Sequence, residues 1–138
     1  MPKRIVAGLL ALILGLNALA MLFAGLWWYG AVPGVVATGP FNAHFVKDIG
    51  AAYLVVAAGL AWFAARPREG WGAMAAAAAF LTLHALVHLT DAFAGGHAGM
   101  EAMHAGGGLA DLIRDFPGVF LPALLALWIA GRKPSEGA

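Results

Sequence analysis

Histidine and aspartate recur at helical spacing in this chain, and imidazole together with carboxylate is a common ligand set for transition metals. His84 and His88 are four residues apart and Asp91 follows three residues later, so on a helix all three lie along one face. His44 and Asp48 repeat the four-residue spacing. Two imidazoles spaced this way can reach one ion, and a nearby carboxylate can ligate it or orient a ring. These five residues are the predicted metal ligands.

A second group of polar residues lies closer to the C-terminus. Asp111 and Asp115 are also four apart, and Arg114 lies between them. We expect these three residues to contact the ligand side chains and not the metal itself. They also fit an ion-pair group at a membrane surface. A glycine-rich stretch supplies weaker candidates, which could bind metal or simply keep a loop hydrated: His97, Glu101 and His104.

The composition of the chain indicates which structural elements position these residues, because it is unusually apolar. Hydrophobic types make up 62% of the 138 residues and charged types only 11%, against about 25% charged in soluble domains. This favours a membrane protein. The formal net charge of +1 and the lack of a basic stripe argue against nucleic-acid binding. The chain has no cysteine, which excludes disulfides, iron–sulfur clusters and thiolate metal sites.

Four apolar stretches are long enough to cross a hydrocarbon core of about 30 Å. They cover about 5–29, 43–65, 71–93 and 109–130. In lipid such segments must be helices, because their backbone groups have no water to bond. The predicted fold class is therefore all-α, a single integral membrane four-helix bundle of four transmembrane helices over residues 1–138.

Basic residues predict the orientation of the spans. With four crossings, one side receives a cluster of Lys and Arg: Lys3, Arg4, Arg66, Arg68, Arg132 and Lys133. The other side has only Lys47 and Arg114. The positive-inside rule then places the N and C termini in the cytoplasm, and we expect a multi-pass protein of the bacterial cytoplasmic membrane.

The polar residues of three spans are expected at one level in the outer half of the bundle. Counting from the cytoplasmic ends at about 1.5 Å per residue places Asp48, His88 and Asp115 roughly 22–25 Å up. A charge facing lipid costs about 2.5–3.5 kcal/mol, which favours turning these residues inward toward one another. The competing interpretation is a hydrogen-bonded polar seam, in which Asp48 pairs with Lys47 or Arg114.

Several functions fit this arrangement. The first is a site for iron, zinc or copper that acts on a lipid or small apolar substrate by redox chemistry or hydrolysis. A b-type haem held by His44 with His84 or His88 is an alternative, which the carboxylates at the same level disfavour. The chain could instead be a non-catalytic accessory subunit of a larger membrane complex, or a homo-oligomer. A proton path is least favoured, because below His84 the spans contain no further His, Asp or Glu apart from the cytoplasmic ends.

Overall fold

A computed structural model describes residues 1–93 and 107–131, so His97, Glu101 and His104 lie outside the described residues. Within these two ranges the chain is helical, with connecting turns and no strand. The described residues form six α-helices: α1 (Pro2–Phe23), α2 (Gly25–Ala31), α3 (Ala43–Ala65), α4 (Trp71–Phe93), α5 (Gly107–Asp115) and α6 (Leu121–Ala130). A short 3-10 helix (Val35–Thr38) precedes α3, and a π-helical segment (Phe116–Phe120) joins α5 to α6.

Four helices are long and apolar enough to span a membrane: Pro2–Phe23, Ala43–Ala65, Trp71–Phe93 and Gly108–Ala130. The prediction of an all-α protein with four such helices is confirmed. The first span is shorter than the predicted 5–29, because the helix breaks at Ala24 and restarts at Gly25. Gly25 lies against Phe41 and Val46, and the bend brings α2 over the start of α3.

The spans pack in the order α1, α3, α4 and α6, with α1 and α3 in the most extensive contact and α1 and α6 in the least. Their shared core includes the fully buried side chains of Met21, Leu60, Met74 and Ile129. Gly50 lets α1 and α3 approach closely, since a Cβ there would lie 2.9 Å from the Met21 Cβ. Small residues at helix contacts are what membrane packing favours, because lipid adds no hydrophobic force between helices.

Two basic residues of α1 form hydrogen bonds with the ends of α3 and α6 at one end of the molecule. The Lys3 ammonium donates to the Ile129 carbonyl at 2.9 Å, near the end of α6. The Arg4 guanidinium donates to the Ala64 carbonyl at 2.8 Å, near the end of α3. Cations are favourable at helix C-termini, where carbonyl groups lack backbone partners. We call this the basic end of the molecule.

The last span is helical throughout but widens near its middle. The sequence predicts a kink at Pro117, and the structure shows a π-helical segment there. Proline has no N–H to donate and its ring crowds the preceding turn, so a wider turn is one way for the helix to continue. The segment lies immediately after Asp115 and so follows the last polar residue of α5.

Candidate functional site

A cavity of about 620 Å³ lies toward the end opposite the basic end, among α1, α3, α4, α5 and the connection 32–38. Its size falls within the range of about 300–1,000 Å³ usual for small-molecule pockets. The acidic, histidine and arginine side chains on its wall come from α4 and α5: His84, His88, Asp91, Asp111, Arg114 and Asp115. Every one of these belongs to the residues singled out from the sequence, and the structure brings them to one wall.

A hydrogen-bonded network links α4 to α5 on this wall. His88 Nδ1 lies 2.8 Å from Asp115 Oδ2. The Arg114 Nε donates to Asp115 Oδ1 at 2.8 Å, and Arg114 Nη1 donates to Asp111 Oδ1 at 2.7 Å. The Asp115 side chain is only 12% exposed, so its carboxylate is largely enclosed by these two partners.

The contact with Asp115 determines how the His88 ring can act. A carboxylate accepts hydrogen bonds, so Nδ1 of His88 carries the proton and donates it to Asp115. In the neutral ring Nε2 is then left with its lone pair. Histidines that bind metals commonly donate their second ring N–H to a carboxylate in this way, which fixes the tautomer and makes the ligating nitrogen more basic.

His84 lies beside His88 within the same cavity. The two ring centroids are 4.8 Å apart, with the ring planes at 66°. The His84 ring is also parallel to the Phe80 ring within 3° and meets the Tyr53 ring edge-on at 5.7 Å. Within residues 1–93 and 107–131, neither nitrogen of His84 takes part in a hydrogen bond. Aromatic contacts therefore position this ring, and its nitrogens remain available to a ligand.

The polar wall carries an excess of negative charge. Asp91 lines the cavity and makes no ion pair or hydrogen bond with the described part of the chain. Asp111 and Asp115 share the one guanidinium of Arg114. Three carboxylates against one guanidinium leave two uncompensated negative charges when the imidazoles are neutral. Charge complementarity at this wall therefore favours a cation.

The connection between α2 and α3 closes over Arg114. Gly34 has a left-handed backbone with φ of +86°, and a Cβ at this position would lie only 2.5 Å from Arg114 Nε. Glycine meets both demands, since it adopts positive φ without strain and has no side chain to collide with the guanidinium. The close contact holds the covering segment against the ion-pair network.

The structure does not bring His44 and Asp48 to this cavity. Their side chains are 89% and 62% exposed and pair with each other, with His44 Nε2 3.3 Å from Asp48 Oδ2. The face of α3 that packs inward carries Val46, Gly50 and Tyr53. Residues two positions apart on a helix project about 200° apart, so His44 faces away from the side that Val46 buries.

This placement differs from the expected one. The two residues do not line the cavity with His88, and Asp48 contacts His44 and pairs with neither Lys47 nor Arg114 among the described residues. Metal binding by His44 or Asp48, and a haem held by His44, stay predictions. Asn42 caps α3 by accepting from the backbone N–H groups of His44 and Phe45.

Tyr53 is a cavity residue that the sequence analysis missed. Its side chain comes from the middle of α3 and is only 6% exposed. The hydroxyl makes no hydrogen bond with the described residues, although buried tyrosines usually find a partner. Asn17 and Trp28 also line the cavity, but they satisfy each other, because Trp28 Nε1 donates to Asn17 Oδ1 at 2.8 Å. Tyr53 could have been identified in the sequence because it is a lone tyrosine among alanine and valine residues of this span.

No three His, Asp or Glu side chains in the described ranges are gathered as a complete metal-ligand set. The two imidazoles of α4 are the closest approach to one, with Asp115 behind the second ring. The chain matches no family model, no curated protein and no solved structure.

Proposed function

We propose that this chain is a membrane protein that binds a divalent transition-metal ion at His84 and His88. The observation that carries the proposal is the pair of adjacent imidazoles, one held through Nδ1 by Asp115 at 2.8 Å. Both residues line a cavity large enough for a bound ion together with a small molecule. Asp91 lines the same cavity but is not gathered with the two imidazoles into a group of three, so its role as a ligand stays a prediction.

Charge supports a divalent ion in particular. Among the described residues, the wall holds Asp91, Asp111 and Asp115 against one cation, Arg114, and a charge of +2 balances the remaining two negative charges. Like charges repel one another, and water screens this repulsion more at the exposed Asp91 than at the Asp115 side chain, which is 12% exposed. Binding a divalent cation relieves that repulsion, whereas binding an anion would increase it.

The ligand types narrow the choice of metal and suggest a use for it. Imidazole with carboxylate, in a chain without cysteine, suits zinc, copper or iron. Two or three protein ligands leave positions open toward the cavity, and open positions distinguish catalytic metal sites from structural ones. A bound ion would supply a Lewis acid or a redox centre. The chain's own contribution is to orient His88 through Asp115 and to shield the site beneath the covering segment.

The orientation of the protein is part of the proposal. Lys3 and Arg4 lie at the basic end, which the positive-inside rule assigns to the cytoplasm of a bacterial inner membrane. The cavity would then open toward the outer leaflet. The lack of cysteine permits a direct test with Glu69→Cys at the basic end and Val36→Cys near the cavity. An impermeant thiol reagent added to intact cells should label Val36→Cys alone, and labelling of Glu69→Cys alone would reverse the orientation.

Metal binding is tested by titrating the purified protein with Zn²⁺ and Co²⁺ in lipid nanodiscs. His84→Phe keeps an aromatic ring to stack on Phe80 while removing the nitrogens, and His88→Ala removes the ring that Asp115 orients. His44→Ala is the matched control, because it removes an imidazole that lies outside the cavity.

We expect one high-affinity ion per chain in the wild type and in His44→Ala. We expect that ion to be lost in His84→Phe and His88→Ala, with thermal unfolding of His84→Phe close to that of the wild type. Equal metal affinity in all four proteins would contradict the proposal, and so would weaker binding in His44→Ala alone.

A further inference from the structure

We infer that the cavity also binds a neutral, membrane-soluble molecule whose polar head accepts a hydrogen bond from the Tyr53 hydroxyl. The inference builds on the proposed function, because it names the class of molecule that would meet the ion in this cavity. It depends on Tyr53, which is not a proposed metal ligand, so it can be tested with the metal removed.

A large part of the cavity lining is apolar. Its residues come from α1, α3 and the last span and include Ile13, Leu14, Ile49, Val119 and Pro122. Pockets that bind small molecules combine such a lining with a few polar groups that orient the ligand. The shape of the lining therefore fits a molecule with an apolar body and a polar end near α4.

The position of the cavity favours a molecule that arrives through the bilayer. It lies between α1 and the last span, which are the neighbouring spans that pack least against each other. Ile13 of α1 is 60% exposed on the outer surface and also lines the cavity, so one side chain belongs to both surfaces. A lipid-soluble molecule could reach the site between these two spans without crossing the polar wall.

Tyr53 is the observation that points to a ligand. Its side chain is 6% exposed, it lines the cavity, and its hydroxyl has no hydrogen-bond partner in residues 1–93 and 107–131. The side chain is buried, but its oxygen is not among the fully enclosed unpaired atoms of the described residues, so the hydroxyl opens to the cavity and can donate to a molecule bound there. The Tyr53 ring meets the His84 ring edge-on at 5.7 Å, which places the hydroxyl-bearing residue beside the proposed metal site.

The charge of the polar wall defines the head group. Asp91, Asp111 and Asp115 outnumber Arg114, so an anionic head would be repelled in the absence of metal. With a divalent ion bound, the wall is balanced and a charged head gains nothing further. A neutral carbonyl, ether or hydroxyl oxygen satisfies Tyr53 in either condition.

The test uses two probes of nearly the same shape, acetylnaphthalene and ethylnaphthalene, which differ in one carbonyl group. Binding is measured by equilibrium dialysis against wild-type nanodiscs with EDTA present, and empty nanodiscs give the background from partitioning into lipid. We expect saturable binding of both probes to the wild type. Tyr53→Phe should weaken acetylnaphthalene about threefold to tenfold and leave ethylnaphthalene unchanged.

Each alternative result overturns the inference. Probe retention equal to that of empty nanodiscs would mean partitioning into lipid only. An equal loss of both probes in Tyr53→Phe would mean that the hydroxyl supports the fold and does not contact a ligand. Naphthoate binding as tightly as acetylnaphthalene would exclude a preference for a neutral head. The metal titration with His84→Phe is a separate experiment, so failure of one proposal can be told apart from failure of the other.

Discussion

The hydrogen bond from His88 to Asp115 gives the sharpest test of the proposed metal site. Asp115→Asn keeps the size of the side chain but removes the negative charge that holds the His88 ring and fixes its proton on Nδ1. The variant leaves both proposed imidazole ligands in place. It therefore asks whether the carboxylate positions His88 for an ion or only tethers α5 to α4.

The magnitude follows from the geometry. His88 Nδ1 lies 2.8 Å from a carboxylate oxygen of Asp115, whose side chain is 12% exposed, so the contact is charge-assisted and partly enclosed. Hydrogen bonds to charged groups contribute about 1.5–3 kcal/mol. Removing a carboxylate that orients a metal-bound histidine typically weakens metal binding about 10–100-fold, or about 1.4–2.7 kcal/mol. The two ranges agree, so we expect Zn²⁺ affinity to fall by one to two orders of magnitude.

Asp111→Asn is the matched control for this experiment. It removes the same charge from the same helix and loses one bond from Arg114, but it does not touch His88. Zn²⁺ affinity measured by competition with a chromophoric chelator should fall at least several-fold further in Asp115→Asn than in Asp111→Asn. Equal losses would mean that only the total charge matters, and unchanged affinity in Asp115→Asn would refute the orienting role of this carboxylate.

Three further predictions concern glycine positions and pH. Gly34→Ala should lower the free energy of unfolding by about 2 kcal/mol and weaken Zn²⁺ binding, because the new Cβ would displace Arg114. Gly39→Ala is the control: its φ of +133° is also unfavourable for alanine, but no atom lies near the new Cβ, so it should lower stability without changing Zn²⁺ binding. Gly50→Ala should destabilise by about 1–3 kcal/mol through crowding of α1 at 2.9 Å, while Gly8→Ala, with 3.8 Å available, should be tolerated in thermal unfolding. Lowering the pH from about 7 to 5 should weaken Zn²⁺ binding, because protons compete for imidazole nitrogens, and a pH-independent affinity would exclude imidazole ligands.

The helical spans could be predicted from the sequence because one physical requirement dominates them. Backbone groups in hydrocarbon must bond within the segment, and long apolar runs permit little besides a helix. The bounds of α3 and α4 agree with the predicted 43–65 and 71–93. The break at Ala24 was not predicted, since it depends on Gly25 packing against Phe41 and Val46, residues from another part of the chain.

The candidate site was predicted only in part, because spacing along a helix does not reveal which way a face points. The stripe of His84, His88 and Asp91 does line the cavity. The pair of His44 and Asp48 has the same spacing but points away from it. To tell which pair lines a cavity, one must know which face of each helix is buried. In α3 that face carries Val46, Gly50 and Tyr53, and these residues could have identified it.

The two pairs at four-residue spacing differ in the chemical types of their side chains. His44 and Asp48 are complementary, so the spacing lets them satisfy each other on an exposed surface without any partner from another helix. His84 and His88 cannot form an ion pair with each other, so each ring must find its partners elsewhere. His88 finds Asp115 on α5, whereas His84 finds only aromatic neighbours among the described residues. Two imidazoles at helical spacing inside a membrane span therefore indicate a shared ligand more strongly than an imidazole and a carboxylate that can pair with each other.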